Sequence, residues 1–461
     1  MNNRMFRPRM GAQAWCLLRI CMWGLFLCSS APATDQLSWD VQKGRITADV
    51  SQGNLLSILE QIADKTGWQV FVEPEVSCVV SAKFRDLPPG NALPLLLGDL
   101  NYALLPSAGA MRLYVFRTSR DKATQQIRAR PLETQGLKLI GNELIVRLKP
   151  GANIDEIAKA LGATVVGRLE KHNLYRLRFD DIAATNAARA ALAQNPDVES
   201  IENNYALDRP GGGRPVVSTT SGMPQLALRP PPNGCNVVIG LIDTGVQSLG
   251  TDLDKFLLPP ISIAGASAVD PSVPSHGTSM AATMLSSLAA ASRGSTSVKI
   301  LPVDVYGRSP VTSTFQVAEG IVRAVNAGAN VINLSLGTEG NAPYVADLIR
   351  QASQSNITFI GAAGNSPVTT PYYPAALPEV LAVTAVEQGS IAPYANRGSF
   401  VSVGAPGTSI VNYNGSSYFV IGTSSAAAFT SGIAAAYRES NCAGTQETGN
   451  YLRNQLPPPL P

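Results

Sequence analysis

Between residues 237 and 383 the chain carries five short, mainly apolar runs, at 237–242, 298–303, 331–334, 358–362 and 380–383. A strand that is apolar on both sides must be covered on both faces. That is the condition of a buried parallel sheet, not of a half-solvated antiparallel one. Stretches with helical spacing separate the runs, for example 314–327 and 344–355. This alternation predicts an α/β domain built on a doubly wound parallel sheet. In such sheets functional groups gather beyond the carboxyl ends of the strands.

Three signals fall at those ends. Asp243 follows the first run, in Ile242-Asp243-Thr244-Gly245. His276 lies in Ser275-His276-Gly277-Thr278, where a helix of small residues should begin and run to about Ala291. Ser424 lies in Gly422-Thr423-Ser424-Ser425-Ala426-Ala427-Ala428, and small residues continue to about Tyr437. Alanine favours helix, so this stretch predicts a buried helix starting at or next to Ser424. The first N–H groups of a helix lack internal partners and its dipole is positive there, so a serine at that place sits where negative charge is stabilised. Each signal also has a plain structural reading, as a strand-ending turn, a helix cap or an N-cap serine. Together they supply what a serine nucleophile requires: a base to take its proton and a carboxylate to hold that base. The chain has two histidines. His172, between Lys171 and Asn173, lies well upstream, so His276 is assigned as the base.

The order Asp, His, Ser is that of subtilisin, not of chymotrypsin or the α/β-hydrolases. The chain resembles the subtilisin family through five motifs in family order: VVIGLIDTGV, SHGTSMAA, VINLSLG, FIGAAGN and IGTSSAAAF. The likeness spans about residues 234–440. It implies a serine endopeptidase in which Asp243 orients His276, His276 is general base and acid, and Ser424 is the nucleophile. Asn365 matches the family's oxyanion-hole amide. Ser335, Leu336 and Gly337 match the strand that pairs with substrate, and with Ala362, Ala363 and Gly364 they should wall the pocket before the cut. There are departures: Ser425 and Ala428 stand where the family usually has Met and Pro, and Ser279 where it often has His. A similar serine motif occurs in the acid-acting sedolisins, but those lack the histidine, so His276 favours subtilisin chemistry. No cofactor is expected for the reaction. Calcium would be an accessory, and the stretch 292–297, short and without acid or asparagine, lacks the family's usual calcium loop.

Upstream, residues 141–207 should form a βαββαβ unit. It resembles the prodomains of secreted subtilisin-like proteases, in LIVRLKPGANIDEIAKALGA and VESIENNYAL. That likeness implies an inhibitor of the same chain's protease. Residues 208–233, rich in Pro and Gly, are read as a linker in which the chain processes itself. Residues 40–118 hold a duplicated strand–helix–strand pattern, read as two βαβ units, with 119–140 as a polar linker. The pattern LLSILEQIADKTGWQVFVEPEV resembles the short N-terminal domain of secretins and TonB-dependent receptors, which implies a protein partner in the envelope. Residues 1–33 read as a secretory signal: arginines lead, residues 20–27 are apolar, and Ala31-Pro32-Ala33 supplies a small-x-small cleavage site. Cys28 invites a lipid anchor, but the bulky Leu27 before it argues against one.

The chain is 45% apolar and 15% charged, with a formal net charge of +3. Four arginines of the signal account for that excess, so the remainder is close to neutral and offers no nucleic-acid surface. Export permits disulfides, and Cys235 and Cys442 are read as forming one, with two buried free thiols as the alternative if the helix ends before Cys442. Cys235 lies eight residues before Asp243, about 26 Å of strand, and Cys442 eighteen residues after Ser424, about 27 Å of helix. Helices run opposite to strands in this architecture, so both should reach the bottom of the domain. The competing reading is an envelope binding or sensor protein with a vestigial protease domain. A lipase or esterase is weaker, because no Gly-x-Ser-x-Gly surrounds Ser424.

Overall fold

The computed structural model describes residues 36–40, 45–74, 76, 79–107, 110–127, 138–211, 214–216, 225–249, 252–267 and 269–459. The signal assignment, Cys28 and Cys78 lie outside the described residues. Among the described residues, no helix is long and apolar enough to cross a membrane.

The N-terminal domain contains β1 (Gln36–Asp40), β2 (Arg45–Asn54), α1 (Leu55–Thr66), β3 (Gln69–Val72), β4 (Val79–Leu87), α2 (Pro89–Leu97), β5 (Asn101–Ser107), β6 (Ala110–Phe116) and β7 (Gln125–Ile127). Its duplicated units do not close as two βαβ folds. The first strands of the two units, β2 and β4, pair antiparallel with each other in the sheet β1-β2-β4, and the second strands join the sheet β5-β6-β3-β7. Leu55, Ile58, Leu59 and Ile62 of α1 and Leu93 and Leu96 of α2 fill the core of this domain. The stretch 119–140 is not all linker: β7 completes the second sheet beside β3, and Leu139 already begins the next strand.

The next domain follows the expected order: β8 (Leu139–Leu148), α3 (Ile154–Leu161), β9 (Thr164–Leu169), β10 (Leu174–Arg178), α4 (Ile182–Leu192) and β11 (Val198–Asp208). Asn153 and Asp181 cap the two helices by accepting from Asp155 N and Ala184 N, the short-side-chain device that satisfies first-turn donors. One face of the sheet has its own core around Leu144, Leu148 and Leu177. From the other face Ile145, Leu169, Leu174, Tyr205 and Leu207 enter the core of the following domain.

The assigned linker 208–233 is partly structured. β12 (Arg214–Val216) and β13 (Ala227–Leu228) are strands that pair with the downstream domain. That domain holds β14 (Val238–Asp243), β15 (Ile261–Ser262), α5 (His276–Ala291), β16 (Ser295–Thr296), β17 (Lys299–Asp304), β18 (Val311–Ser313), α6 (Thr314–Asn326), β19 (Val331–Leu334), α7 (Pro343–Gln354) and β20 (Thr358–Ala362). It ends with β21 (Val380–Glu387), β22 (Ser390–Ile391), β23 (Val403–Pro406), β24 (Thr408–Tyr413), β25 (Ser416–Ile421), α8 (Thr423–Asn441) and α9 (Thr445–Gln455). The main sheet runs β15-β17-β14-β19-β20-β21-β22, parallel except at β22, with β23 also beside β21. The strand order reverses at β14, so Asp243 stands at the point where doubly wound sheets place their sites.

Helices cover both faces of the sheet. α5 and α8 lie on one face with Met280, Met284, Ala427 and Ala434 in its core, and α6 and α7 lie on the other with Phe315, Ile321, Tyr344 and Leu348. The small residues of α8 are what let it approach α5: a Cβ on Gly432 would stand 2.5 Å from Met284 O. Cys235, just before β14, and Cys442, the residue that ends α8, form a disulfide with Cα atoms 5.6 Å apart, as their spacing predicts.

Candidate active site

Asp243 is fully buried at the end of β14. Both of its carboxylate oxygens lie against His276 Nδ1, at 2.8 and 2.9 Å, and Oδ1 also accepts from Thr244 N at 2.7 Å. The rest of the turn is stitched to the start of α5. Thr244 Oγ1 accepts from Gly277 N, Ser275 Oγ donates to Gly245 O, and Gln247 Oε1 accepts from Ser275 N and Thr278 Oγ1. His276 is thus held by the first turn of its helix as well as by Asp243. Gln247, which sequence reasoning passed over, is part of that frame; an isolated glutamine after a glycine turn gives no signal.

α8 begins one residue before Ser424. Gly422 is its N-cap residue, at φ 149°, and no side chain caps it. The reading of Ser424 as a capping serine therefore falls. Ser424 is the second helical residue, half-buried, and its N–H is one of the first-turn donors that a helix leaves without an internal partner. Its hydroxyl donates to Ser335 O at 3.2 Å, so the bond from nucleophile to His276 is not formed. Such bonds are often long in a free enzyme and tighten with substrate bound.

Asn365 is exposed at the site and aimed by Thr423. Its Oδ1 accepts from Thr423 N at 2.8 Å and Thr423 Oγ1 at 3.0 Å, which leaves Nδ2 as the donor end. Thr423 Oγ1 also accepts from Gly364 N at 3.1 Å. The residue before the serine therefore fixes the loop that carries Asn365.

A cleft of about 290 Å³ opens here, lined by Ser335, Leu336, Gly337, Ala362, Gly364, Asn365 and Ser424. Ala363 does not wall it: it is fully buried, and its N–H donates to Val383 O. Asp243 and His276 do not line this cleft either. Tyr372, unnoticed in the sequence, does line it and donates to Gly337 O at 2.7 Å. Burial first, then the carboxylates of Asp208 and Glu339, push its phenol up to about 12.

The departures in the motifs are accommodated. Ser425 Oγ bonds Ser409 Oγ of β24, Ala428 is fully buried, and Ser279 Oγ of α5 donates to the O of its N-cap residue Ser275.

The other wall of the cleft is upstream chain. Ala206, Leu207, Asp208, Arg209 and Pro210 line it. β11 pairs antiparallel with β18, Leu207 opposite Thr312, and Arg209 N donates to Pro310 O at 2.8 Å. Further back, Glu202 accepts from Tyr344 N at the start of α7, and Asn204 Oδ1 accepts from Thr314 Oγ1 and Phe315 N at the start of α6.

Comparison with known proteins assigns two parts of the chain. Residues 234–455 match the subtilase family, and residues 126–204 match the fervidolysin N-terminal prodomain. A thermophilic serine proteinase of Bacillus sp. (strain AK1) is 29% identical over 312 residues, covering 64% of this chain and 77% of that one. Subtilisin DY of Bacillus licheniformis is 32% identical over 216 residues, covering 44% of this chain and 76% of its own. Among solved structures, fervidolysin of Fervidobacterium pennivorans, described as a keratinolytic enzyme related to subtilisin, shares the fold with a TM-score of 0.52 at 20% identity, over 65% of this chain and 55% of that one. The vestigial-protease reading is not favoured by these relatives. The chain belongs to the subtilase family and is a subtilisin-like serine endopeptidase preceded by a prodomain.

Proposed function

We propose that Ser424, His276, Asp243 and Asn365 carry peptide-bond hydrolysis, and that the chain is an exported precursor that cuts itself. The observation that carries this is the fully buried carboxylate of Asp243 gripping His276 Nδ1 at 2.8 and 2.9 Å. With Nδ1–H donated to Asp243, the Nε2 lone pair is left to accept the Ser424 proton. The Ser424 hydroxyl leaves the Ser335 carbonyl, gives its proton to His276 and attacks the peptide carbon. The oxyanion is met by Asn365 Nδ2 and the first-turn N–H of Ser424. His276 then protonates the leaving amine. A water deprotonated by His276 hydrolyses the acyl-enzyme and restores the serine. An acidic pH optimum would overturn this assignment and revive the sedolisin comparison.

Self-processing is supported by the course of residues 206–210 along β18 and past Ser424. β13 pairs with β16, and Arg229 donates to Glu439 of α8, so residues from 227 onward are built into the protease. In this reading the cut falls within 211–225. In the Ser424→Ala variant, gel analysis and N-terminal sequencing should show a precursor uncut beyond its signal. Normal maturation of that variant in a protease-deficient host would refute self-cleavage, and a fluorophosphonate that labels the processed wild-type enzyme but not Ser424→Ala would confirm the nucleophile. Residues 1–33 are the export signal in this reading, giving a periplasmic or extracellular protein. The secretin- and TonB-receptor-like domain at 40–118 offers a surface for an envelope partner.

A further inference from the structure

Residues 36–125 lie upstream of both matched stretches, yet their domain does not hang free of the protease. At the sheet edge, β7 turns Gln125 inward: this side chain is 3% exposed, and its Oε1 accepts from Arg397 Nη1 at 3.1 Å. Arg397 is itself buried, with Nη2 directed to the carbonyls of Ala392 and Ala395 at 3.5 and 3.3 Å. Glu60 of α1, also buried, supplies the opposing charge. Burial pulls the Arg397 pKa down to about 10, with Glu60 acting in the other direction, so the group remains a cation at neutral pH. A buried guanidinium is tolerated only when paired and hydrogen-bonded. Here part of that satisfaction comes from another domain.

Arg397 stands directly behind the loop that carries Asn365. Its N–H donates to Val368 O at 3.0 Å. Its neighbour Asn396 donates from its N–H to Gly364 O at 2.9 Å, and accepts from Ser366 N at 2.8 Å. The upstream piece thus holds the protease on two sides of one loop: residues 206–209 in front along β18, and Glu60 with Gln125 behind.

We propose that the N-terminal domain is the second anchor of the inhibitory propiece, docking on Arg397 so that the prodomain stays on the protease after the connecting chain is cut. The inference rests on residues 138–209 being the inhibitory segment. The physical reason is linkage: only residues 128–137 lie between β7 and the prodomain, and a second contact on so short a connection acts at an effective concentration in the millimolar range. Either contact alone would let go sooner than the pair.

The test does not depend on self-processing. The Ser424→Ala chain is given a site for an added sequence-specific protease within 217–224, cut there, and the release of the upstream fragment is followed by surface plasmon resonance and size exclusion. Arg397→Glu should weaken retention by ~10-fold or more, because it removes the hydrogen bond to Gln125 and sets a like charge against buried Glu60. Glu60→Lys should do the same from the other side, and the two together should regain part of the loss. Unchanged retention in Glu60→Lys and Arg397→Glu overturns the proposal. If Arg397→Glu fails to fold, Glu60→Lys decides alone, since it lies outside the protease. Occupancy of the cleft is read separately, by fluorophosphonate labelling of the cut chain that keeps Ser424. An open cleft with mutation-sensitive retention supports the docking and faults only the inhibitory reading.

Discussion

At the scale of single residues, the site depends on short polar side chains that hold others in place. Thr423 is the clearest case. It takes Asn365 Oδ1 with both its N–H and its hydroxyl, and so decides which end of the amide can reach an oxyanion. Asn365→Ala should leave substrate binding nearly unchanged. It should lower kcat by roughly 10²- to 10³-fold, the loss known for removal of this donor in subtilisin itself. Steady-state kinetics on a peptide substrate check this, and a rise in KM with kcat intact would assign Asn365 to binding instead. Thr423→Val should show part of the same loss, because it frees the amide to turn.

At the scale of elements, the same helix that presents Ser424 secures the chain far from the cleft. Glu439 of α8 is fully buried and accepts from Ser297 N, Ser297 Oγ, Thr296 Oγ1 and Arg229. Burial alone would raise its carboxyl pKa, but the donors of Ser297, Arg229 and Thr296 outweigh burial and leave it lowered. A carboxyl whose folded pKa is depressed stabilises the fold fully above its unfolded pKa and loses that contribution as pH falls through the folded value. Glu439→Gln should therefore destabilise the protease most at neutral pH, by roughly 1–3 kcal/mol for donors left unsatisfied. In acid the difference from wild type should shrink. Urea unfolding at several pH values measures it; a difference that does not depend on pH would mean that the charge is not what matters. β13 and β16 should loosen in this variant too, since Arg229 and Ser297 flank them.

At the scale of the whole molecule, the disulfide ties the entry to β14 to the exit of α8, at the end of the domain opposite the catalytic groups. It closes a sequence separation of 207 residues. In the chain-entropy model a loop of that size is worth up to about 5 kcal/mol, and measured gains are often smaller. The double variant Cys235→Ser, Cys442→Ser should keep its activity at low temperature and unfold at a lower temperature than wild type. Mass spectrometry of the non-reduced protein should find neither thiol open to alkylation. Equal melting temperatures for the oxidised wild type and the double variant would show that the bond adds nothing to stability.

How much of this was legible in the chain follows from the range over which each feature is determined. The apolar runs, their helices and the Cys235–Cys442 pair were readable because each rests on local composition or on distance along one strand or helix. Strand β14 or helix α3 needs nothing beyond its own residues and the promise of cover on both faces. What the sequence could not settle is which strand pairs with which, because pairing is a choice among distant partners that burial alone does not rank. So the duplicated N-terminal pattern suggested two closed units where the fold shares their strands between two sheets. So, too, the Pro- and Gly-rich stretch suggested an unpaired linker where Ala227 and Leu228 pair with β16. Ala363, in the motif beside Asn365, is fully buried and its N–H bonds Val383 O of the neighbouring strand. Only the tertiary structure brought Gln247, Tyr372 and Arg397 to the site, since each acts through groups tens of residues away, and no local pattern encodes a hydrogen bond closed by the fold.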